Sequence, residues 1–255
     1  SITRESPDRK SIYTFGMPQY TGLTYAFTDE LVARVPEVEK AVRYGEGYFV
    51  SVQFEEGPTQ AKTNFVSADF FEMFPYLQFV EGSPAGLESL SNVIVSESFA
   101  RTHDLKVGKT IRIGSREFVI IGVLQDFRNT IFVPTDLIIN DQSDLNDFAV
   151  NDPYDHYGST ITFAKYPQGT DPQVIYDKAE AVCKAIYPDF YGKAFFDKLV
   201  VRRFDKLFFR DAQDSRNQFA RGDLDTLKLL AIVGLLLLLS AVFNYINLSF
   251  ALTGK

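Results

Sequence analysis

The sequence predicts an α+β domain followed by one long apolar helix. Three observations carry this. Strand and helix patterns near the start, within about residues 10–60, return near 156–206; a strand-rich stretch of different character, 61–155, lies between them; and the run "LKLLAIVGLLLLLSAVFNYINLSFALTGK" closes the chain. With 255 residues, 45% hydrophobic and 15% aromatic, the chain can bury a large core and is not a disordered polymer.

Near the start, "SIYTF" is a short β-like run. In "LTYAFTDELVARV", Leu23, Phe27, Leu31 and Val35 stand four apart on one face of a helix that Pro36 ends. "EVEKAVRYGEGYFVSVQFEEG" alternates on both sides of Gly45-Glu46-Gly47, which predicts a hairpin turning there. The middle stretch reads as short strands around short helices: "TNFVS", "ADFFEMF", "NVIVS", "ESFARTHD", "KTIRIG", "REFVIIGVLQDF" and "VPTDLIIN". Ser67 and Ser96 stand where a strand hands over to a helix, a place for an N-cap. The first pattern then returns. "STITFAKY" reads as a strand, Ile175, Ala179, Val182 and Ile186 share one helical face, and "DKLVVRRF" reads as a strand. A βαβ-type unit thus stands at each end, with a different module between.

The net charge of −7 belongs to the part before the closing run, since Leu229 to Gly254 carries no charge. No cluster of Lys and Arg forms a basic stripe, so nucleic acid is not an expected partner. The single cysteine, Cys183, excludes an internal disulfide and sits among apolar residues at helical spacing, as a packed side chain would. The start "SITRESPDRK" has no initiator Met and no signal-peptide pattern, and the chain reads as a piece of a longer protein.

Motifs for chemistry are weak. Gly108-Lys109-Thr110 resembles the end of a phosphate-binding loop, but His103 stands where that loop needs its first Gly, and the strand-like "TIRI" follows where it needs a helix. A turn is expected there, and no ATP site. His103 and His156 are far apart and neither has a second ligand at helical spacing. "NDQSDLNDFAVNDPYDH" lacks the alternating ligands and turn Gly of a calcium loop and reads as a solvated acidic loop. No nucleophile elbow appears. No catalytic, cofactor-binding or metal-binding residue is expected, and no cofactor.

Leu229–Leu252 would form a helix about 36 Å long, enough to cross a hydrocarbon core of about 30 Å. Asn244 and Asn247 interrupt its second half three residues apart, hence on one face. An amide is costly against lipid, so that face is expected to pack on another helix. The mixed-charge stretch before it, 207–228, suits a stalk leaving the membrane.

The blocks "FVSADFFEMFPYLQFVEGSP", "NVIVSESFARTHDLKVGKTIRIGSREFVIIGVLQDF" and "LLLLLSAVFNYINLSFA" resemble, in that order, MacB/FtsX-like ABC transporter permeases of Bacteroidetes type. The first two resemble the MacB-like periplasmic core domain, the third the start of the FtsX-like permease domain. The resemblance implies a porter-like subdomain of two βαβ-type units, 10–60 with 156–206, and an inserted mixed α/β Sabre-like subdomain, 61–155. A stalk, 207–228, and a transmembrane helix, 229–252, would follow. It further implies a bacterial inner-membrane permease with this domain in the periplasm, a permease dimer, and a cytoplasmic ABC ATPase that hydrolyses the ATP. A periplasmic adaptor or a cargo such as a drug, peptide or lipoprotein is the remaining implied partner. An extracytoplasmic ligand-sensing domain of a signalling protein is the alternative reading of a soluble domain on one apolar helix, and a membrane-tethered enzyme is a third.

Overall fold

The computed structural model describes residues 10–17, 22–45, 47–127, 130, 132–146, 160–193, 196–209, 222 and 224–253. The fold is mixed α/β with a long C-terminal apolar helix, the class the sequence predicts.

One lobe is a four-stranded antiparallel sheet of β1 (Ile12–Gly16), β2 (Lys40–Gly45), β10 (Thr160–Lys165) and β11 (Val200–Arg203), in the order β11-β1-β10-β2. Helix α1 (Tyr25–Arg34) joins β1 to β2, and α4 (Pro172–Ile186) joins β10 to β11. Each unit is thus a split βαβ whose two strands are separated by a strand of the other unit. Both helices cover the same face. Phe27, Leu31 and Val35 meet Ile175, Ala179, Val182 and Cys183 over Tyr13, Phe15 and Ala164. The spacing that predicts these helices is therefore the spacing that builds this core. Asp171 caps α4 by accepting from the Gln173 amide at 2.9 Å, with Pro172 in the first turn, where its missing N–H costs nothing.

The remaining strands are β3 (Phe49–Phe54), β4 (Gly57–Val66), β5 (Phe79–Gly82), β6 (Asn92–Ser96), β7 (Thr110–Ile113), β8 (Arg116–Leu124) and β9 (Leu137–Asn140). Six of them pair in a closed circuit, β3-β4-β9-β6-β8-β7 and back to β3. Such a circuit is a small barrel, and alternate residues fill it. Val50, Val52, Ala61, Phe65, Val93, Val95, Ile111, Ile113, Phe118, Ile120, Leu137 and Ile139 form one buried cluster, joined by Phe99 of α3 (Glu97–Thr102). Ser96 caps α3 as expected, accepting from the Phe99 amide at 3.2 Å. Ser67 does not cap α2 (Phe70–Met73); its hydroxyl accepts instead from the Arg43 amide at 3.0 Å.

The expected hairpin about Gly45-Glu46-Gly47 does not form. β2 and β3 instead lie end to end against the same partner, β4: Tyr44 and Gly45 pair Val66 and Phe65, and Phe49 pairs Lys62. From Gly45 to Phe49 the chain advances four residues while β4 advances three, which is a bulge. A Cβ at position 47 would overlap the Thr63 carbonyl, so only glycine allows this close approach. The hairpin turn lies further on, at Glu55-Glu56, where Phe54 pairs Gly57 and Gly57 takes φ +120°. One bent ribbon therefore runs from the four-stranded sheet into the barrel.

Candidate functional site

The seam where sheet and barrel meet has an aromatic and a polar part. The aromatic part forms on the sheet face away from α1 and α4. Ile12, Val42, Tyr44, Ile161 and Phe163 meet Phe70, Phe71, Phe74, Phe132 and Phe204, and Ile94, Leu124 and Ile138 complete the cluster from the barrel's outer face. Phe74 lies at its centre, with ring centroids 5.0 Å from Phe163, 5.2 Å from Phe132 and 5.3 Å from Phe204. Full burial of each such ring stabilises by roughly 1.5–3 kcal/mol, and edge-on geometry adds to it. Many of the chain's 24 Phe are spent here.

The polar part is built on Arg43. From β2 its guanidinium donates through Nε to Asp141, just past β9, and through Nη1 to Asp29 of α1 at 2.6 Å. The Asp141 side chain is 2% exposed and that of Asp29 74%. Burial is the largest influence on both Arg43 and Asp141. It pushes the Asp141 carboxyl up, and it opposes the Arg43 charge, which the two carboxylates more than restore. A guanidinium does not deprotonate in a protein, so Arg43 carries its charge into the seam. Close by, Asn146 donates to the Tyr25 hydroxyl at 2.8 Å and to the Asp141 carbonyl at 2.7 Å. Tyr25 packs on Gly45, at the start of the bulge, and burial pushes its pKa up to about 12. Sequence reasoning missed this network: it placed Asp141 and Asn146 in a solvated acidic loop, whereas both are buried. No local pattern marks them, because their partners lie about a hundred residues away.

The closing run forms α5 (Leu224–Thr253), within which Asp225–Ser249 is long and apolar enough to cross a membrane and buries nothing. Asn244 and Asn247, the residues singled out from the sequence, are exposed on it. Most of the expected stalk, 207–228, lies outside the described residues, as do His156 and the end of the acidic segment. His103 ends α3 and stacks on Phe54 with centroids 4.3 Å apart. Gly108 takes φ +86° in a turn and Thr110 begins a strand. Among the described residues no three His, Cys, Asp or Glu side chains gather as a metal site needs. The seam thus combines an apolar contact, a buried ion pair and a bent ribbon.

The profile of the MacB-like periplasmic core domain matches residues 2–182. The chain belongs to that family. It is a MacB-like periplasmic domain of an ABC transporter permease, carrying an apolar helix at its C-terminal end. The MacB-like fold is shared with solved structures, among them the following three. A permease-protein domain from Porphyromonas gingivalis aligns with TM-score 0.61 at 19% identity, over 83% of this chain and 99% of that one. The periplasmic region of MacB from Actinobacillus actinomycetemcomitans aligns with TM-score 0.57 at 12% identity, over 81% and 95%. The extracellular domain of the ABC-type transporter YknZ from Gram-positive bacteria aligns with TM-score 0.51 at 12% identity, over 75% and 99%. No curated protein matches the chain.

Proposed function

We propose that this MacB-like domain couples ATP hydrolysis by a separate cytoplasmic ABC ATPase to movement on the periplasmic side of the bacterial inner membrane. The movement serves export or handling of a cargo such as a drug, peptide or lipoprotein, and the permease works as a dimer. The porter-like part is 10–60 with 156–206. The Sabre-like part is 61–155 and borrows β3 from the first. The stretch 207–228 is the stalk, and 229–252 the membrane helix. Asn244 and Asn247 form the face on which that helix packs.

One observation carries the reading. The last strand before α5, β11, pairs with β1 through Tyr13 opposite Arg203, so the chain enters and leaves the sheet at one end. A displacement of α5 would reach the sheet there. From the sheet, β2 continues into the barrel through the bulge, with Arg43–Asp141 as a second tie between the lobes. A helix acting as a lever and a domain of two tied lobes suit mechanical transmission better than passive anchoring.

The test uses the full-length permease reconstituted with its ATPase in proteoliposomes. A Gly-rich insertion within 207–228 is expected to abolish ATP-dependent function while leaving assembly with the ATPase intact. Unchanged function in the insertion variant overturns the lever.

A further inference from the structure

The barrel gapes at one seam. β3 and β7 pair only at Val52 with Ile113 and Gln53 with Arg112. Beyond Gln53 the β3–β4 hairpin turns away through Glu55-Glu56, and a groove of about 770 Å³ opens between its tip, the end of α3 and β7. That size lies within the about 300–1,000 Å³ usual for ligand sites.

The ladder fixes which backbone groups face the groove. The Gly114 amide donates to the Ser51 carbonyl at 3.1 Å, on the β3 side, and the Lys109 carbonyl accepts from the Ile120 amide at 2.9 Å, on the β8 side. Backbone groups alternate between the two edges of an antiparallel strand. Arg112 therefore faces Gln53, and the N–H and C=O of Thr110 face the position that β3 has vacated. Thr110 is exposed. It is a short open strand edge set inside a groove.

The surroundings of that edge carry a charge pattern. Phe54 and His103 stack face to face, with 2° between their ring planes, and present a half-buried aromatic surface. Glu55 and Glu56 stand exposed on the hairpin tip, with no ion pair to another described residue. Opposite them stand Arg101, Lys109 and Arg112. Arg112 reaches Glu117 at 3.4 Å, and the Lys109 amine donates to the Asp104 carbonyl at 2.7 Å.

We propose that this seam binds an extended peptide segment of a partner polypeptide. The segment adds as a strand beside Thr110, lays an aromatic side chain on the Phe54–His103 pair, and carries one basic and one acidic residue for the opposed walls. Main-chain pairing supplies affinity in this mode, and the flanking side chains supply selectivity. The inference concerns this surface alone and stands whether or not the lever reading holds.

The test uses the whole chain in detergent micelles. The probes are fluorescein-labelled pentapeptides, acetyl-Xaa-Thr-Phe-Thr-Xaa-amide, with Lys and Glu at the ends in both orders, and a Gln-ended control. Saturable binding in fluorescence anisotropy is expected for a Lys/Glu probe, together with slowed hydrogen exchange at the Thr110 amide. Thr110→Pro removes only the donor that faces the groove, because the adjacent bonds to β8 come from Lys109 and Ile111. It is expected to weaken binding at least about tenfold, or about 1.4 kcal/mol. Alternate N-methylation of the probe, tested against the unaltered chain, should do the same and does not depend on how the variant folds. Arg101→Glu with Lys109→Glu should remove the preference over the Gln-ended control. The proposal is overturned by absence of saturable binding up to millimolar probe, or by binding indifferent to Thr110→Pro and to N-methylation. It is overturned equally if Thr110→Pro abolishes self-association and no probe binds, which would assign the groove to a second copy of the chain.

Discussion

Arg43 and Asp141 form a buried ion pair across the seam, although 98 positions separate them in the chain. Arg43 belongs to the sheet and Asp141 follows the last barrel strand, so the pair registers one lobe on the other. Breaking a buried pair by removing one member leaves the other charge uncompensated, at about 3–5 kcal/mol. Arg43→Met and Asp141→Leu are each expected to lower unfolding stability by that order. The double change is expected to recover most of the loss, because two apolar groups of similar volume need no partner. Denaturant unfolding of the chain in detergent measures all three. A double variant as unstable as the sum of the singles would deny the pairing.

Tyr25 supplies the pH dependence of the same seam. Its hydroxyl is buried, and burial raises the pKa from 10 to about 12 against the hydrogen bond from Asn146, which favours the phenolate. A raised folded pKa means that the contribution is fully present below pH 10 and is lost as pH rises through about 12. A rise from 10 to about 12 corresponds to about 3 kcal/mol at most. Unfolding stability measured from pH 9 to pH 12 should fall along this slope, and Tyr25→Phe should flatten it. An identical slope in both proteins would remove Tyr25 from the account.

Glycine at position 47 is required by sterics and not by a special φ. A Cβ there would meet the Thr63 carbonyl and the next amide, all backbone atoms that have no room to yield. Gly47→Ala should therefore destabilise by more than the 0.5–3 kcal/mol usual for point changes, about 4 kcal/mol or above. Gly114→Ala has open space around it and only the cost of φ +59°, about 1–2 kcal/mol. Equal losses for the two variants, measured by thermal unfolding, would mean that the bulge yields.

These residues also show where sequence reasoning reached and where it stopped. The face of α4 was legible because Ile175, Ala179 and Val182 repeat at the helical period and all are buried. Strands β1, β10 and β11 were legible from short β-rich runs. The bulge was misread as a hairpin because glycines flanking alternating apolar residues mark both, and only the length of β4 decides between them. Its first half, "GPTQAK", is polar and carries Pro58, so the true hairpin was hidden. The aromatic cluster draws Phe70, Phe74, Phe132, Phe163 and Phe204 from distant segments, and Asp141 looks like any loop acid. Such contacts are set by topology, which periodicity does not encode.

Cys183 lies in the helix-packed core, fully buried, and burial pushes its thiol pKa far up. A thiol is nucleophilic only as thiolate, so the folded chain should resist alkylation. Incubation with a maleimide in detergent, at neutral pH, is expected to label Cys183 only after denaturant unfolds the domain. Rapid labelling of the native chain would mean that α4 separates from α1 under native conditions.

Asn244 and Asn247 give the most direct handle on the membrane-helix proposal. Both lie on the exposed surface of α5, three residues apart, and Tyr245 points well away from their shared face. Interhelical hydrogen bonds in a bilayer contribute about 0.6 kcal/mol on average, because the separated helices also find partners. Replacing both amides by Leu is therefore expected to weaken helix association about three- to tenfold, and Tyr245→Leu to leave it unchanged. Energy transfer between donor- and acceptor-labelled copies in phosphatidylethanolamine–phosphatidylglycerol vesicles reads the association directly. The comparison between the two faces matters more than the size of either effect, since all three changes make the helix more apolar and only two remove the amides. Loss of transfer with Tyr245→Leu, and none with the double Asn change, would place the packing face elsewhere on α5.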